Sequence, residues 1–394
     1  MLTSNFTTQE RHFLLGIGFV IGLRQLVLLL VLPFIVIFGT QLEGSTPALV
    51  GLALGIYGLL QAFLQVPFGL LSDAFGRKRT ILLGNALLAL GLLIAALASD
   101  ITTFIIGRAL QGCGAVTAVA YAWIGDNTAP EKRNQAMSFA SLAAGSAAVA
   151  SFLAGPLLYG VLSLPQIFVL CAGLTCFVML YVGVAMREPA RRAVATPSPA
   201  RQLDLRPGGQ LLRLVAAGFL LNYILMAVCF ILPLLIAREL GALALWKVFV
   251  PATLLGIGAM RVATRLADAG RFTVVSSVSF AAFAGTAFCL TQENVVLLGL
   301  GMALFMSGYL VLAALLPAAV SRVADAPSRA TATGIFYTAM FLGAFAGGAG
   351  TGALWGIHPG AAVAVMIAAS AAGLVLAASL PSPRLATASG SETC

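Results

Sequence analysis

The chain has 394 residues, of which 60% are apolar and 9% are charged. A soluble domain carries about 25% charged residues, so this composition excludes an ordinary soluble protein. The apolar runs are long and continuous, which excludes an outer-membrane β-barrel because barrel strands alternate polar and apolar residues. Twelve membrane-crossing helices of about 20 residues each would leave enough chain for short loops. The sequence therefore predicts an all-α, polytopic membrane protein.

The apolar runs form six spans, a charged connection and six further spans. The first six spans cover residues 13–38, 48–71, 80–98, 101–125, 134–158 and 166–186. The last six cover residues 214–237, 246–266, 272–290, 295–320, 331–355 and 359–380. We therefore predict a six-helix bundle over residues 1–186, a surface linker rich in Arg and Pro over residues 187–213, and a second six-helix bundle over residues 214–394.

The positive charges are distributed unevenly between the two sets of loops. Of the 22 Lys and Arg residues, 17 lie in the chain ends and in the loops on the same side of the membrane as the N-terminus. Two, Arg238 and Lys247, lie in loops on the opposite side. The remaining three fall within spans: Arg24, Arg108 and Arg261. Because cytoplasmic loops of inner-membrane proteins are enriched in Lys and Arg, we expect both termini in the cytoplasm. The net charge of +9 thus indicates contact with the lipid bilayer and no nucleic-acid partner.

Short matches relate the two halves of the chain. The sequence LLSDAFGRK around Asp73 recurs as RLADAGRF around Asp268, 195 positions later (268 − 73). Arg133 and Arg329 are 196 positions apart (329 − 133), and LYG ending at residue 160 matches LWG ending at residue 356 at the same separation. Matches in the same order at a nearly constant offset predict two related six-helix halves, with a ligand site between them near the bilayer midplane.

The loop after the second span reads GLLSDAFGRKR. In it, Gly69 allows helices to approach closely, Asp73 offers a carboxylate to a helix N-terminus, Gly76 permits a tight turn, and Arg77 lies in the headgroup region. This loop resembles the signature between helices two and three of the major facilitator superfamily. The resemblance implies twelve helices in two pseudo-symmetric bundles and secondary transport by alternating access.

Two further motifs resemble signatures of the same family. RALQGCG in span four, from Arg108, is similar to the family's second signature. AGPLLYG in span five, with Gly155 and Pro156, is similar to a signature of exporters, although Tyr159 takes the place of a glycine. The resemblance covers almost the whole chain and is greatest for the drug:proton antiporter branch, where residues 55–78 resemble the YajR-like subgroup. Members of that subgroup carry a soluble domain after helix twelve, whereas 14 residues follow Leu380 here (394 − 380), so we expect no regulation through such a domain.

The predicted interior is positive and contains no acid. All 13 carboxylates fall in loops, termini or span ends, whereas Arg24 and Arg108 lie inside spans. A charge at such depth faces a wet cavity or a partner rather than lipid, and here the partners open to it are polar side chains, backbone carbonyls, water or an anionic substrate. The candidate substrate-binding residues are Arg24, Gln25, Tyr57, Gln61, Gln65, Arg108, Asn222, Tyr223, Tyr309 and Tyr337. Hydrogen bonding between helices is the alternative role for each of them.

The resemblance also implies that spans 3, 6, 9 and 12 are peripheral while the other eight line the cavity, and that a coupling site lies on the cytoplasmic side. Asp73, Arg77 and Asp126 are expected to form an ion network that holds the halves together when the cavity faces outward. We expect protonation of Asp126 to loosen this network and favour the inward-facing state. The candidate gating and coupling residues are Gly69, Asp73, Gly76, Arg77, Arg108, Asp126, Arg133, Gly155 and Pro156.

The sequence thus favours proton-coupled export of small lipophilic neutral or anionic compounds. One alternative is uncoupled transport or uptake of a small metabolite, and another is a membrane sensor or scaffold that does not transport. An enzyme is not expected, because the two histidines, His12 and His358, accompany no nucleophile and no phosphate-binding loop is present. We expect protons and a small-molecule substrate as partners, no catalytic residue, no cofactor, no metal site and a monomeric chain.

Overall fold

The computed structural model describes residues 6–186, 188, 208–292, 294–324 and 329–380, apart from the side chains of residues 130, 134, 329 and 330. Across these ranges the chain forms helices joined by short turns. The helices are α1 (Thr8–Leu30), α2 (Ile35–Gly39), α3 (Pro47–Phe75), α4 (Arg77–Leu97), α5 (Ile101–Cys113), α6 (Thr117–Asn127), α7 (Arg133–Tyr159), α8 (Leu164–Ala185), α9 (Gly209–Leu240), α10 (Trp246–Leu266), α11 (Phe272–Leu290), α12 (Val295–Val323), α13 (Arg329–Ile357) and α14 (Pro359–Ala378).

These helices make twelve crossings. The first crossing is α1 with α2, the fourth is α5 with α6, and each of the others is a single helix. In the described ranges eleven segments are long and apolar enough to cross a membrane, and one of them, Ala242–Leu290, has 49 residues. A helix of that length would measure about 74 Å against a hydrocarbon core of about 30 Å. It is instead α10 and α11, which fold back at Gly270, where φ is +85°. The predicted all-α fold with twelve crossings is confirmed.

We call α1–α8 the first half and α9–α14 the second half. The predicted linker falls largely on residues 187 and 189–207, which lie outside the described residues. Helix α9 already begins at Gly209, so residues 209–213 of the predicted linker are helical. The division into two separate bundles at residues 186 and 214 stays a prediction.

Local sequence sets where the helices begin and end. The Thr46 side chain accepts a hydrogen bond from the Leu49 N–H (3.3 Å) and Pro47 follows it at the first helical position, which is a favourable start for α3. Asp100 caps α5 in the same way by accepting from the Thr103 N–H (2.9 Å). Gly76, with φ +100°, separates α3 from α4, because an L-residue with a side chain rarely adopts that conformation.

The two ends of the molecule differ. We call the end with residues 76, 127, 209 and 323 the terminal end, since the first described helix begins there at Thr8 and the last ends there at Ala378, and the opposite end the far end. Near the far end α3 and α13 touch through small residues: a Cβ added to Gly51 would lie 2.6 Å from the Gly352 Cα, and one added to Gly55 would lie 2.8 Å from the Phe345 carbonyl oxygen. Gly69, farther along α3, has no atom within 4 Å of an added Cβ, and neither has Gly334 on α13. The two helices therefore diverge, and the space between the halves is closed at the far end and open at the terminal end.

Candidate functional site

Arg24 lies inside the first half with neutral partners only. It is 6% exposed, and its guanidinium donates to the Gly114 carbonyl oxygen and to the Asn85 Oδ1 (3.4 Å). Gly114 lies between α5 and α6, where its φ of −79° and ψ of 60° interrupt the fourth crossing. None of the ion pairs among the described residues includes Arg24. This placement favours the carbonyl-bonded alternative for Arg24, and its contact with substrate stays a prediction.

Arg108 is a second buried cation without a counter-ion in the described chain. It is 2% exposed on α5, and its Nη1 donates to the Gln111 Oε1 (2.6 Å) while its Nε donates to the Ala53 carbonyl oxygen (3.2 Å). Its Cζ also lies 5.7 Å from the centroid of the Tyr57 ring, at cation–π distance. Tyr57 also lies close to Arg24, so both buried positive charges are near one aromatic side chain.

Tyr57 also links the first half to the second. Its ring meets the ring of Phe341 on α13 edge to face, with centroids 6.3 Å apart. One turn farther along α3, Gln61 is 1% exposed and its Oε1 has no hydrogen-bond partner. Gln65, one more turn along, and Gln25 beside Arg24 are each half-buried. The predicted polar face of α3 thus runs from the closed far part of the interface toward the open terminal end.

The four predicted residues of the second half divide into two pairs. Tyr309 on α12 stacks on Phe305 and meets the edge of Phe152 on α7 with centroids 6.0 Å apart, so it reaches the first half. Tyr337 on α13 lies close to Tyr121 on α6 and therefore also faces the first half. By contrast, Asn222 donates within its own helix α9, to the Gly218 carbonyl (3.4 Å).

Tyr223 belongs with Asn222 on α9. It is 9% exposed, and its backbone packs closely on α13, since a Cβ added to Gly347 would lie 2.8 Å from the Tyr223 Cα. The structure therefore brings Tyr57, Tyr309 and Tyr337 to the interface between the halves, whereas Tyr223 packs against another helix of its own half. Substrate contact by any of them stays a prediction.

The sequence analysis did not select Tyr121 and Ser141. The Tyr121 hydroxyl and the Ser141 Oγ are 3.0 Å apart and join α6 to α7, opposite Tyr337 of the second half. Both lie in spans that the resemblance places around the cavity, and this was the only signal in the sequence. Their pairing depends on how two helices are rotated about their axes, which the apolar pattern of spans four and five does not specify.

The expected ion network is assembled at the terminal end. Arg77 Nη1 lies 2.6 Å from Asp73 Oδ1, and Arg77 Nε lies 2.9 Å from Asp126 Oδ2. Arg77 also donates to the Ser72 Oγ. The side chains of Asp73 and Asp126 are 61% and 45% exposed, so each pair taken alone stabilises the fold by at most about 1 kcal/mol. All three residues belong to the first half, and their role in coupling stays a prediction.

The remaining gating candidates lie at helix contacts. Arg133, at the start of α7, donates from Nε to the Gly125 carbonyl (3.0 Å) near the end of α6. Gly155 lets α7 approach α1, since an added Cβ would lie 2.6 Å from the Leu30 carbonyl oxygen, and Pro156 follows it inside α7. Tyr159, at the position of the missing glycine, stacks on Phe34 with ring centroids 4.3 Å apart. No group of three or more His, Cys, Asp or Glu side chains that could hold a metal ion occurs in the described part of the chain.

Comparison with known proteins agrees with this architecture. Residues 14–348 match the family model described as the Major Facilitator Superfamily. The chain is 32% identical over 369 residues to the inner membrane transport protein YajR of Escherichia coli, an alignment that covers 91% of this chain and 80% of that protein. It is 30% identical over 191 residues to the class G tetracycline resistance protein of Vibrio anguillarum, covering 46% and 47% of the two chains.

The fold is also that of a solved transporter. The crystal structure of a bacterial homologue of the human lysosomal transporter Spinster, in an inward-facing and occupied conformation, superposes with a TM-score of 0.73 at 14% identity, over 95% of this chain and 96% of that one. These similarities, the twelve crossings and the interface between the two halves lead to one assignment. The chain belongs to the major facilitator superfamily and is a multi-pass transporter of the inner membrane, not an enzyme.

Proposed function

We propose that this transporter exports small lipophilic compounds, neutral or anionic, in exchange for protons. The observation that carries the proposal is the pair of buried guanidinium groups, Arg24 and Arg108, neither of which has an ionic partner among the described residues. A buried positive charge without a counter-ion lowers the energy of an anion nearby and raises that of a cation. The surrounding aromatic and aliphatic side chains favour an apolar substrate body. Because of the two buried positive charges, the cavity selects against cations.

The charge distribution supports an orientation of the protein in the membrane. We propose that the terminal end is cytoplasmic, since the loops there carry the excess of Lys and Arg. The open cavity then faces the cytoplasm, which is the state in which an exporter takes up its substrate. The similarity to a tetracycline resistance protein supports export over import.

Proton coupling is assigned to the ion network on Arg77. For the cavity to face outward, α3 and α13 have to converge at the terminal end, where Asp73, Arg77 and Asp126 lie. When the terminal end closes, this network also contacts the second half, so protonation of Asp126 costs more there than in the open conformation, in which the Arg77 pairs lie within the first half. A proton moving down a 100 mV potential supplies about 2.3 kcal/mol, enough to accumulate substrate more than tenfold at one proton per molecule.

Flux measurements in proteoliposomes test this function. The probe is 2-naphthalenesulfonate, an anion over the whole working pH range that does not cross lipid unaided. We expect its flux to rise when a pH gradient is imposed, and we expect the Asp126→Asn variant to keep the flux and lose its dependence on the gradient. Arg79→Gln, which removes an exposed cation at the start of α4 that takes part in none of the ion pairs among the described residues, is the matched control and keeps that dependence.

Two other outcomes would select the alternatives. Flux of the wild type that is the same with and without the gradient would identify an uncoupled facilitator, which the lack of a carboxylate in the middle of any described helix favours. Absence of flux for the sulfonate and for its neutral sulfonamide would contradict transport of this substrate class. That result would support the alternative of a membrane sensor or scaffold that does not transport.

A further inference from the structure

The fourth crossing is broken inside the membrane. Helix α5 ends at Cys113 after 13 residues, and α6 begins at Thr117. Between them the Ala115 N–H bonds the Cys113 carbonyl (3.0 Å) and the Val116 N–H bonds the Gly114 carbonyl (2.8 Å), so the backbone makes two tight turns. Thirteen residues of helix span about 20 Å, so the break lies within the depth of the hydrocarbon core. Irregular backbone persists at that depth only where protein or a wet cavity satisfies its polar groups.

The two helix ends at the break differ in their hydrogen-bond partners. The carbonyl end of α5 receives a cation, because Arg24 donates to the Gly114 carbonyl oxygen. The amide end of α6 has no side-chain cap, and its first helical bond runs from the Ala120 N–H to the Val116 carbonyl (2.9 Å). The N–H groups of residues 117–119 therefore donate no hydrogen bond to a carbonyl one turn earlier in the chain. The partial negative charge at the C-terminus of α5 and the partial positive charge at the N-terminus of α6 would cancel. The positive charge of Arg24 therefore leaves the break net positive.

An unsatisfied side chain next to the break provides an independent observation. A Cβ added to Gly112 would lie 3.0 Å from the Tyr57 Cα, so α3 passes the break at Tyr57. Gln61 lies one turn farther along α3, in the direction in which α6 runs, with its side chain 1% exposed and its Oε1 without a hydrogen-bond partner. An unpaired buried amide oxygen costs about 1–3 kcal/mol. A ligand with polar atoms would remove that cost, and rotation of the Gln61 amide presents either its oxygen or its NH2 group.

The amide end of α6 can be reached from the cavity. Along α6 one stripe is half-buried or exposed, at Thr117, Ala118, Tyr121 and Gly125, whereas the opposite stripe is buried. Tyr121 in this stripe lies close to Tyr337 of the second half. The stripe thus faces the space between the halves, and the N-terminus of α6 lies at its inner end.

We propose that this break is the anion-binding subsite of the transport site, a step that rests on the proposed function and specifies its substrate as an organic monoanion. A single oxyanion group of the substrate accepts hydrogen bonds from the backbone N–H groups of residues 117–119 and from the Gln61 amide. The apolar body of the substrate lies against Tyr57 and Phe341, whose rings close the cavity. Arg24 does not touch the anion and acts as a positioning residue, because it neutralises the end of α5.

Equilibrium binding to the purified full-length protein in detergent tests the subsite. The ligands are 2-naphthalenesulfonate and its neutral analogue 2-naphthalenesulfonamide. The Thr117→Asp variant places a fixed negative charge at the amide end of α6, and Thr117→Asn has the same shape without the charge. We expect Thr117→Asp to bind the sulfonate at least about tenfold more weakly than Thr117→Asn, since two like charges at this distance repel strongly. We expect the two variants to bind the sulfonamide equally.

A second pair of variants and the wild type complete the test. Ala118 is exposed, so Ala118→Glu and Ala118→Gln report on the same helix end if the Thr117 variants fail to fold. Equal sulfonate binding by the charged and neutral members of a pair would overturn the subsite, while flux of the sulfonate in proteoliposomes would still support the proposed function. A wild type that binds the sulfonamide as tightly as the sulfonate, or binds neither, would overturn the monoanion assignment.

Discussion

The close contact of α3 with α13 gives a prediction about which state of the transporter is populated. In the Gly55→Val variant the new Cβ would lie 2.8 Å from the Phe345 carbonyl oxygen and 3.1 Å from the Ala349 nitrogen. Both atoms belong to backbone and cannot rotate away, so the far end cannot close without moving the helices apart. Overpacking of this kind costs about 1–3 kcal/mol, which shifts the balance between the two states about 5- to 150-fold toward the one that is open at the far end.

Distances between spin labels measure this shift. Labels at Asn127 on α6 and Ser321 on α12 report the separation of the halves at the terminal end, in a background without the native cysteines. We expect Gly55→Val to shorten that distance, because the terminal end closes as the far end opens. Gly173→Val, on α8, is the matched control, since no atom lies within 4 Å of its added Cβ. A distance in Gly55→Val equal to that in the control would refute the reasoning.

Two further predictions concern individual charges. Arg108→Gln removes a buried cation that has no counter-ion in the described chain, so we expect it to raise the Tm and to weaken 2-naphthalenesulfonate binding about tenfold or more; a lower Tm with unchanged binding would contradict this. At the start of α5, hydrogen bonds from the Thr103 side chain and backbone hold the pKa of Asp100 below its usual value. The Asp100 carboxylate therefore contributes fully to stability above about pH 3.9, the usual pKa of an unfolded Asp. This contribution is lost as the pH falls through the lower pKa that Asp100 has in the folded state. Asp100→Asn should remove that part of the fall in Tm on acidification, and identical Tm profiles of the two proteins against pH would contradict the assignment.

The sequence alone predicted those features that depend on residue type and spacing along the chain. The twelve crossings follow from continuous apolar runs, because only helices satisfy the backbone in lipid. The contacts of Arg77 with Asp73 and with Asp126 were both implied by the family resemblance. The residues of this ion network are few, and all of them lie at the ends of helices.

Other features depend on helix rotation and on local breaks, which the sequence does not specify. Arg24 bonds the Gly114 carbonyl only because the fourth crossing is interrupted there, and the apolar pattern of residues 101–125 is continuous across that break. Its second partner, Asn85, lies on α4, a crossing that the resemblance places outside the cavity. Likewise Gly51 and Gly69 are both glycines on one face of α3, yet the first touches α13 and the second touches nothing. Which of them makes contact depends on the conformational state rather than on the sequence.

In the proposed mechanism, two buried guanidinium groups, Arg24 and Arg108, make the cavity select anions over cations. The most direct test is the ratio of initial fluxes of 2-naphthalenesulfonate and 2-naphthylmethylammonium, two ions of similar shape and opposite charge, measured in the same proteoliposomes. We predict clear flux of the sulfonate and none of the ammonium above that of protein-free vesicles. Faster flux of the ammonium would contradict the account.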